Sequence, residues 1–172
     1  MQALRAVFSL AILFASAAGV ANTPQADDFA LLDHTGKFHQ ASYYSDHDAI
    51  VILVESSTTL ATKRAQAALA TVANLERADD IKVMLISPAF NEDRQTLKAV
   101  MTSSGYNLPV LLDETQLVVQ SLELQQYGEV LVIDPATMSI IYRGDSQPLT
   151  DFSNIASVTP TETELGAAID FR

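Results

Sequence analysis

One run of hydroxyl side chains, with basic residues close behind it, has residue types that could do chemistry: Ser56, Ser57, Thr58 and Thr59, then Lys63 and Arg64. A hydroxyl acts as a nucleophile only beside an activating base, and every histidine of the chain precedes this run in sequence. We therefore interpret Thr58 or Thr59 as the cap of a helix starting at Leu60. The alternative is a site for a small anion or a partner's carboxylate at this helix start.

A second candidate site is a metal site formed by His34, His39 and His47. Aspartates stand next to the first and the last of these histidines. Imidazole and carboxylate groups are suitable ligands for zinc or copper(II). The spacing matches no common metal motif, so the alternative is that these are ordinary polar side chains near an N-terminal hairpin.

Composition narrows the classes of function. The chain contains no cysteine, so it lacks the thiolate on which thiol–disulfide exchange depends. Its formal net charge is −11 at pH 7. That charge disfavours nucleic acids and anionic membrane surfaces, which attract basic patches. The same charge would suit a basic protein partner.

The N-terminal segment predicts export. Residues 1–21 combine Arg5, an apolar run that is short for a membrane span of about 20 residues, and the small-residue end Gly19 to Ala21. This pattern is typical of a signal peptide, with a retained N-terminal anchor as the alternative. We expect a periplasmic protein with a mobile lead at residues 22–28 and one domain at residues 29–172.

Hydrophobic periodicity predicts alternating strands and helices after an N-terminal hairpin. Continuous apolar runs at Ala49–Val54 and Ile81–Ile86 indicate strands buried on both faces. The other predicted elements are a helix at 60–76, a helix from Asn91 or Glu92 to Ser104, a strand at 109–112, a short helix at 115–122, a hairpin of strands 130–133 and 139–142, and a last helix capped by Thr161. Strands that alternate with helices favour a parallel α/β sheet, and the closing hairpin adds antiparallel strands.

Several segments carry a family resemblance: Phe29–Asp33 with Gly36 and Lys37, the two buried strands, Leu108–Glu114, and Gly128–Pro135. With these segments the chain resembles the redoxin group of the thioredoxin superfamily, the relatives of alkyl hydroperoxide reductase and thiol peroxidases. The resemblance implies a thioredoxin-like α/β fold. In that fold a central mixed sheet is flanked by helices, with an N-terminal β-hairpin and a C-terminal hairpin plus helix.

The chain departs from the redoxin pattern at the active-site loop. The resemblance places the family's catalytic Cys at about Thr59 and the following Pro at Leu60. Lys63 or Arg64 takes the basic position, and the proline that faces the Cys in many thioredoxin-fold proteins falls near Gly128. Both the nucleophile and its neighbouring proline are therefore missing.

These observations predict a non-catalytic binding or accessory protein with no cofactor. Its binding surface would comprise Ser56–Lys63, Pro88–Phe90 and Tyr127–Glu129. The expected partner is a protein of the cell envelope, bound by a monomer or weak dimer. One alternative is a redoxin-type oxidoreductase or peroxidase, as the resemblance implies. The other is a metal-binding module built on the three histidines.

Overall fold

The computed structural model describes residues 24–146 apart from residue 79. The strands are β1 (Ala30–Leu32), β2 (Phe38–Gln40), β3 (Ala49–Val54), β4 (Ile81–Ser87), β5 (Val110–Leu112), β6 (Glu129–Asp134) and β7 (Ser139–Asp145). The helices are a 3-10 helix (Ala41–Tyr44), α1 (Ser57–Leu60), α2 (Lys63–Ala78), α3 (Arg94–Ser104) and α4 (Leu117–Ser121). None of these helices is long and apolar enough to cross a membrane.

A five-stranded mixed sheet in the order β5-β4-β3-β6-β7 forms the centre of the fold. Strands β3, β4 and β5 run parallel, whereas β6 and β7 are antiparallel to their neighbours. Strands β1 and β2 form a separate hairpin. The predicted α/β fold with its mixed sheet and two hairpins is confirmed.

Strand β3 is buried along its whole length, as its unbroken apolar sequence predicts. Val51 and Leu53 face one core cluster with side chains from α2 and α3. Ile50, Ile52 and Val54 face the other cluster, which includes α4 and the N-terminal hairpin. The alternation follows from the two-residue period of a strand, and it places β3 between two layers.

Helix α3 begins later than predicted because Asp93 caps it. The Asp93 carboxylate accepts hydrogen bonds from the backbone N–H groups of Gln95 and Thr96. Gly105 ends the helix with a φ of +75°, a left-handed conformation that glycine adopts without steric cost. The predicted stop at Gly105 is confirmed, and residues 88–93 form a loop rather than a first helical turn.

The described part of the predicted mobile lead is hydrogen-bonded to the sheet edge. The Ala26 N–H donates to the Met138 carbonyl at 2.8 Å, and the Ile140 N–H donates to the Pro24 carbonyl at 2.8 Å. Ala26 is buried. The predicted signal peptide and the predicted last helix lie outside the described residues.

Asp33 joins the N-terminal hairpin into one unit. Its carboxylate accepts from the Thr35 and Lys37 backbone N–H groups at 2.8 and 2.9 Å, from the Thr35 hydroxyl at 2.7 Å, and from His39 Nε2 at 3.0 Å. Burial alone would raise the pKa of Asp33, but these hydrogen bonds together lower it to about 2. Asp33 also forms a β-bridge with Leu111, which fixes the hairpin beside β5.

Replacing Asp33 with alanine should destabilise the fold by about 2 kcal/mol, because buried His39 and the part-buried donors of Thr35 and Lys37 lose their acceptor. The contribution of a carboxylate with a lowered pKa is present above its ordinary value of 3.8 and is lost as pH falls through about 2. Urea unfolding at pH 7 and at acid pH measures both effects. Exposed Asp27 supplies the control variant, and equal unfolding free energies for the Asp27→Ala and Asp33→Ala proteins would contradict this role.

Candidate functional site

The hydroxyl loop after β3 folds into a capping box, in which the cap side chain and the third helical residue bond reciprocally. Ser56 Oγ accepts from the Thr59 N–H at 3.3 Å, and Thr59 Oγ1 accepts from the Ser56 N–H at 2.8 Å. The prediction that Thr58 or Thr59 is the cap is therefore wrong, because the short helix α1 begins one turn earlier than expected. Thr58 is exposed in this helix.

Glu92 occupies the place where an anion was predicted to bind. Its carboxylate accepts from the Ser57 N–H at 3.1 Å and from the Ser57 hydroxyl at 2.5 Å. The Ser87 hydroxyl also donates to Glu92, at 2.6 Å. An internal carboxylate therefore already uses the Ser57 donors of the anion site predicted at Ser56–Thr59.

A buried carboxyl lies beneath this loop, at Glu55. The residue is only 2% exposed, and its Oε2 atom has no hydrogen-bond partner among the described residues. Burial raises the pKa of Glu55, opposed by a side-chain hydrogen bond with Thr59 and by the charge of Arg64. Buried acids with unsatisfied oxygens are uncommon, and a perturbed acid of this kind at the end of a core strand is typical of functional sites.

Gly128 closes the site from the opposite side, in the turn before β6. Its N–H donates to the Val54 carbonyl at 2.8 Å. Its φ is +85°, and a Cβ at this position would lie 3.4 Å from Arg64 Nη2. Proline would remove the donor and requires a φ near −65°. The backbone at Gly128 therefore excludes the proline that the resemblance places here.

The basic residues behind the loop point outward. Lys63 is exposed at the start of α2. Arg64 is mostly exposed and lies 3.6 Å from the Asp145 carboxylate. Exposed ion pairs of this kind contribute little to stability, so Arg64 is available for contacts with a partner.

Glu129, predicted as part of the binding surface, is a buried structural residue. Its Oε2 accepts from the Gln125 N–H at 2.8 Å, and its Oε1 lies 3.5 Å from Arg143 Nη1. Pro88 is also buried, whereas Phe90 is 68% exposed. Of these three residues of the predicted surface, only Phe90 therefore presents its side chain to solvent.

The structure does not bring the three histidines together. His39 is buried between Asp33 and the Tyr44 hydroxyl, and His47 pairs with Asp46 on the surface. His34 Nδ1 accepts from the Val110 N–H at 3.2 Å. Within residues 24–146, apart from residue 79, no three His, Asp or Glu side chains form a group that could hold a metal ion. The predicted metal site is therefore not formed by the described residues.

Sequence reasoning missed two residues of the site, Glu55 and Glu92, whereas Tyr127 was part of the predicted binding surface. Tyr127 is linked by a side-chain hydrogen bond to Ser56, and burial raises its pKa. The sequence held one usable signal, an acidic residue directly after the apolar strand β3. A charged residue adjoining a fully buried strand is expected to be partly buried and therefore perturbed.

The sheet order, the crossover helices and a loop after β3 that leads into a helix define a thioredoxin-like α/β fold. The chain belongs to the AhpC/TSA family, whose model matches residues 23–144. It is a cysteine-free, divergent member of that family. No curated protein sequence matches the chain.

Solved structures with this fold are similar to the chain at low identity. A hypothetical protein from Sinorhizobium meliloti has 20% identity and a TM-score of 0.63, over 74% of this chain and 72% of its own. A thioredoxin-like protein from Aeropyrum pernix has 11% identity and a TM-score of 0.62, over 76% and 88%. A secreted disulfide oxidoreductase from Mycobacterium tuberculosis has 9% identity and a TM-score of 0.59, over 76% and 96%.

Replacing Glu92 with alanine should destabilise the protein by roughly 2 kcal/mol, because Ser57 and buried Ser87 lose a charged acceptor. Chemical denaturation measures the change. Removal of the exposed carboxylate of Glu114 by the matched Glu114→Ala variant should alter stability by less than about 0.5 kcal/mol. A Glu92→Ala protein as stable as the Glu114→Ala protein would show that the carboxylate does not hold the loop.

Glu55 should make stability fall as pH rises. A carboxyl whose pKa is raised on folding contributes fully below its ordinary value of 4.5 and loses that contribution as pH rises through the raised value. Glu55→Gln should remove this decline, while Glu123→Gln, on an exposed residue, should leave it unchanged. Unfolding free energies measured at increasing pH from 4.5 upward test the prediction. Identical pH profiles for the wild type and Glu55→Gln would refute it.

Proposed function

We propose that this protein is a non-catalytic accessory protein that binds a protein partner of the cell envelope at the loop edge. The loop edge comprises residues 55–62, 88–93, 113–117 and 126–128. It lies at the carboxyl ends of β3, β4 and β5, where open α/β sheets place their ligands. The observation that carries the proposal is that hydroxyl and carboxylate groups bond to one another in the loop where the resemblance places the family's thiol, while two apolar side chains are exposed at the same edge.

Two exposed apolar residues supply anchors for a partner. Phe90 is 68% exposed and Leu117 is 65% exposed. Their loops are held side by side, because the Gln116 side chain donates to the Pro88 carbonyl at 3.0 Å. Exposed aromatic and aliphatic side chains grouped beside polar residues are typical of protein interfaces.

The family's peroxide chemistry is disfavoured by the composition of this chain. Reduction of a peroxide by a cysteine passes through a sulfenic acid on the thiol, and the chain has no cysteine. A serine or threonine in the same loop would need a general base. The Thr59 hydroxyl instead donates to the Ser56 backbone carbonyl, which is not a base.

Export to the periplasm is part of the proposal. It is supported by the signal-peptide pattern of residues 1–21. It is also compatible with the described secretion of the similar oxidoreductase from Mycobacterium tuberculosis. A monomer or weak dimer would leave the loop edge open to a partner.

Photo-crosslinking in intact cells tests the proposed surface. A photoreactive phenylalanine analogue placed at Phe90 should capture one dominant envelope protein. The matched control places the same analogue at Tyr43, which is 65% exposed and precedes the opposite, amino-terminal end of β3. Leu117→Ala should reduce capture at Phe90 by roughly tenfold, as expected when an interface anchor is lost.

Two outcomes would overturn the proposed function. Equal capture at Phe90 and Tyr43, or no capture at Phe90, would show that the loop edge is not the binding surface. Consumption of hydrogen peroxide by the purified protein under multiple-turnover conditions would show that it is an enzyme.

A further inference from the structure

A cavity of about 320 Å³ lies away from the loop edge, between the C-terminal half of α3, the segment before β5 and the turn after β1. Its lining includes buried Met101 and Leu108, together with His34, Lys98 and Tyr106. Small-molecule sites have volumes of about 300 to 1,000 Å³ and combine apolar walls with a few polar groups. The volume of this open-sided cavity therefore lies at the lower end of the range for a small-ligand site, and its lining offers both polar and apolar groups.

The position of the His34 proton follows from its hydrogen bond. Nδ1 accepts from the Val110 N–H at 3.2 Å, so in the neutral imidazole the proton lies on Nε2. Burial lowers the pKa of His34; the charge of Asp33 raises it and the charge of Lys98 lowers it again. The neutral ring therefore presents Nε2–H as a donor at the cavity.

Lys98 adds a positive charge close to this donor. Among residues 24–146, apart from residue 79, no carboxylate forms an ion pair with Lys98. The charge of Asp33 acts on His34, but the Asp33 oxygens already accept from Thr35, Lys37 and His39. An ammonium group and an imidazole donor without an anionic partner are complementary to a carboxylate.

The C-terminus of α3 would oppose an anion if its carbonyl groups were free, because that end of a helix is negative. Here three carbonyls in the last turns of α3 accept additional hydrogen bonds. The Ser103 and Ser104 hydroxyls donate to the Val100 and Met101 carbonyls at 2.8 and 2.7 Å. The Gly105 N–H donates to the Thr102 carbonyl at 3.3 Å, so the local repulsion is reduced.

We infer that this cavity is a binding site for a small organic carboxylate with an apolar body. The carboxylate group pairs with Lys98 and His34 Nε2–H, and the apolar body packs on Met101 and Leu108. The site is independent of the proposed partner surface, since no residue of the loop edge lines it. The charged donors and the apolar side chains line the same cavity. A ligand therefore needs both a carboxylate group and an apolar body to contact both.

A nuclear magnetic resonance titration of the whole protein with benzoate tests the inference. Benzoate should shift the resonances of Met101, Leu108 and the His34 ring, and it should raise the pKa of His34. Benzamide is the neutral control of the same shape and should bind at least tenfold more weakly. Lys98→Met should weaken benzoate binding at least tenfold, whereas Lys63→Met, on an exposed lysine at the start of α2, should not change it.

Three outcomes would overturn the inference. Benzoate could leave the cavity resonances unchanged. Inorganic phosphate could shift them as strongly as benzoate, which would show an adventitious ion only. Equal affinity in the wild type and in Lys98→Met would show that the ammonium group does not recognise the carboxylate.

Discussion

The Glu92 carboxylate joins the ends of β3 and β4, and the arrangement of the loop edge depends on this contact. It gathers the Ser57 N–H, the Ser57 hydroxyl and the Ser87 hydroxyl at one point. Hydrogen bonds to an ionised acceptor are stronger than those between neutral groups. The contact therefore fixes α1 against the loop that carries Phe90, and it occupies donors that would otherwise be available to an external anion.

The same principle explains the polar residues elsewhere in the fold. The Asp33 carboxylate accepts hydrogen bonds from donors of the N-terminal hairpin, and the Glu129 carboxylate accepts them from N–H groups of the turn before β6. Each carboxylate accepts hydrogen bonds from N–H and O–H groups that water would solvate in the unfolded chain. Nearly every donor that folding buries has such a partner. Glu55 is different, because one of its oxygens has no partner among the described residues. That difference distinguishes it from the acids whose role is structural.

The sequence predicted the parts of the fold that depend on local pattern. The unbroken apolar run of β3 and the stop at Gly105 were both visible in it. The cap at Ser56 was not, because adjacent hydroxyl residues in one loop have similar capping preferences and tertiary contacts decide between them. Glu92 contacts Ser57 across 35 positions of sequence, and Ala26 bonds to Met138. No local sequence pattern indicates contacts between residues so far apart. The hydrogen bonds of Glu92 to Ser57 and of Ala26 to Met138 therefore could not be predicted.

We propose that the loop edge has lost the environment that activates a thiol, and not only the thiol itself. Thr59→Cys tests this directly, since the resemblance to redoxins places the family's nucleophile at about Thr59. The measurement is the rate of oxidation of that variant by hydrogen peroxide, compared with free cysteine at the same pH. The buried Glu55 carboxyl beside the new thiol should keep its pKa from falling, so the account predicts a rate no greater than that of free cysteine. A rate more than about tenfold above free cysteine, corresponding to a barrier lower by about 1.4 kcal/mol, would show that a working redoxin site remains and would contradict the account.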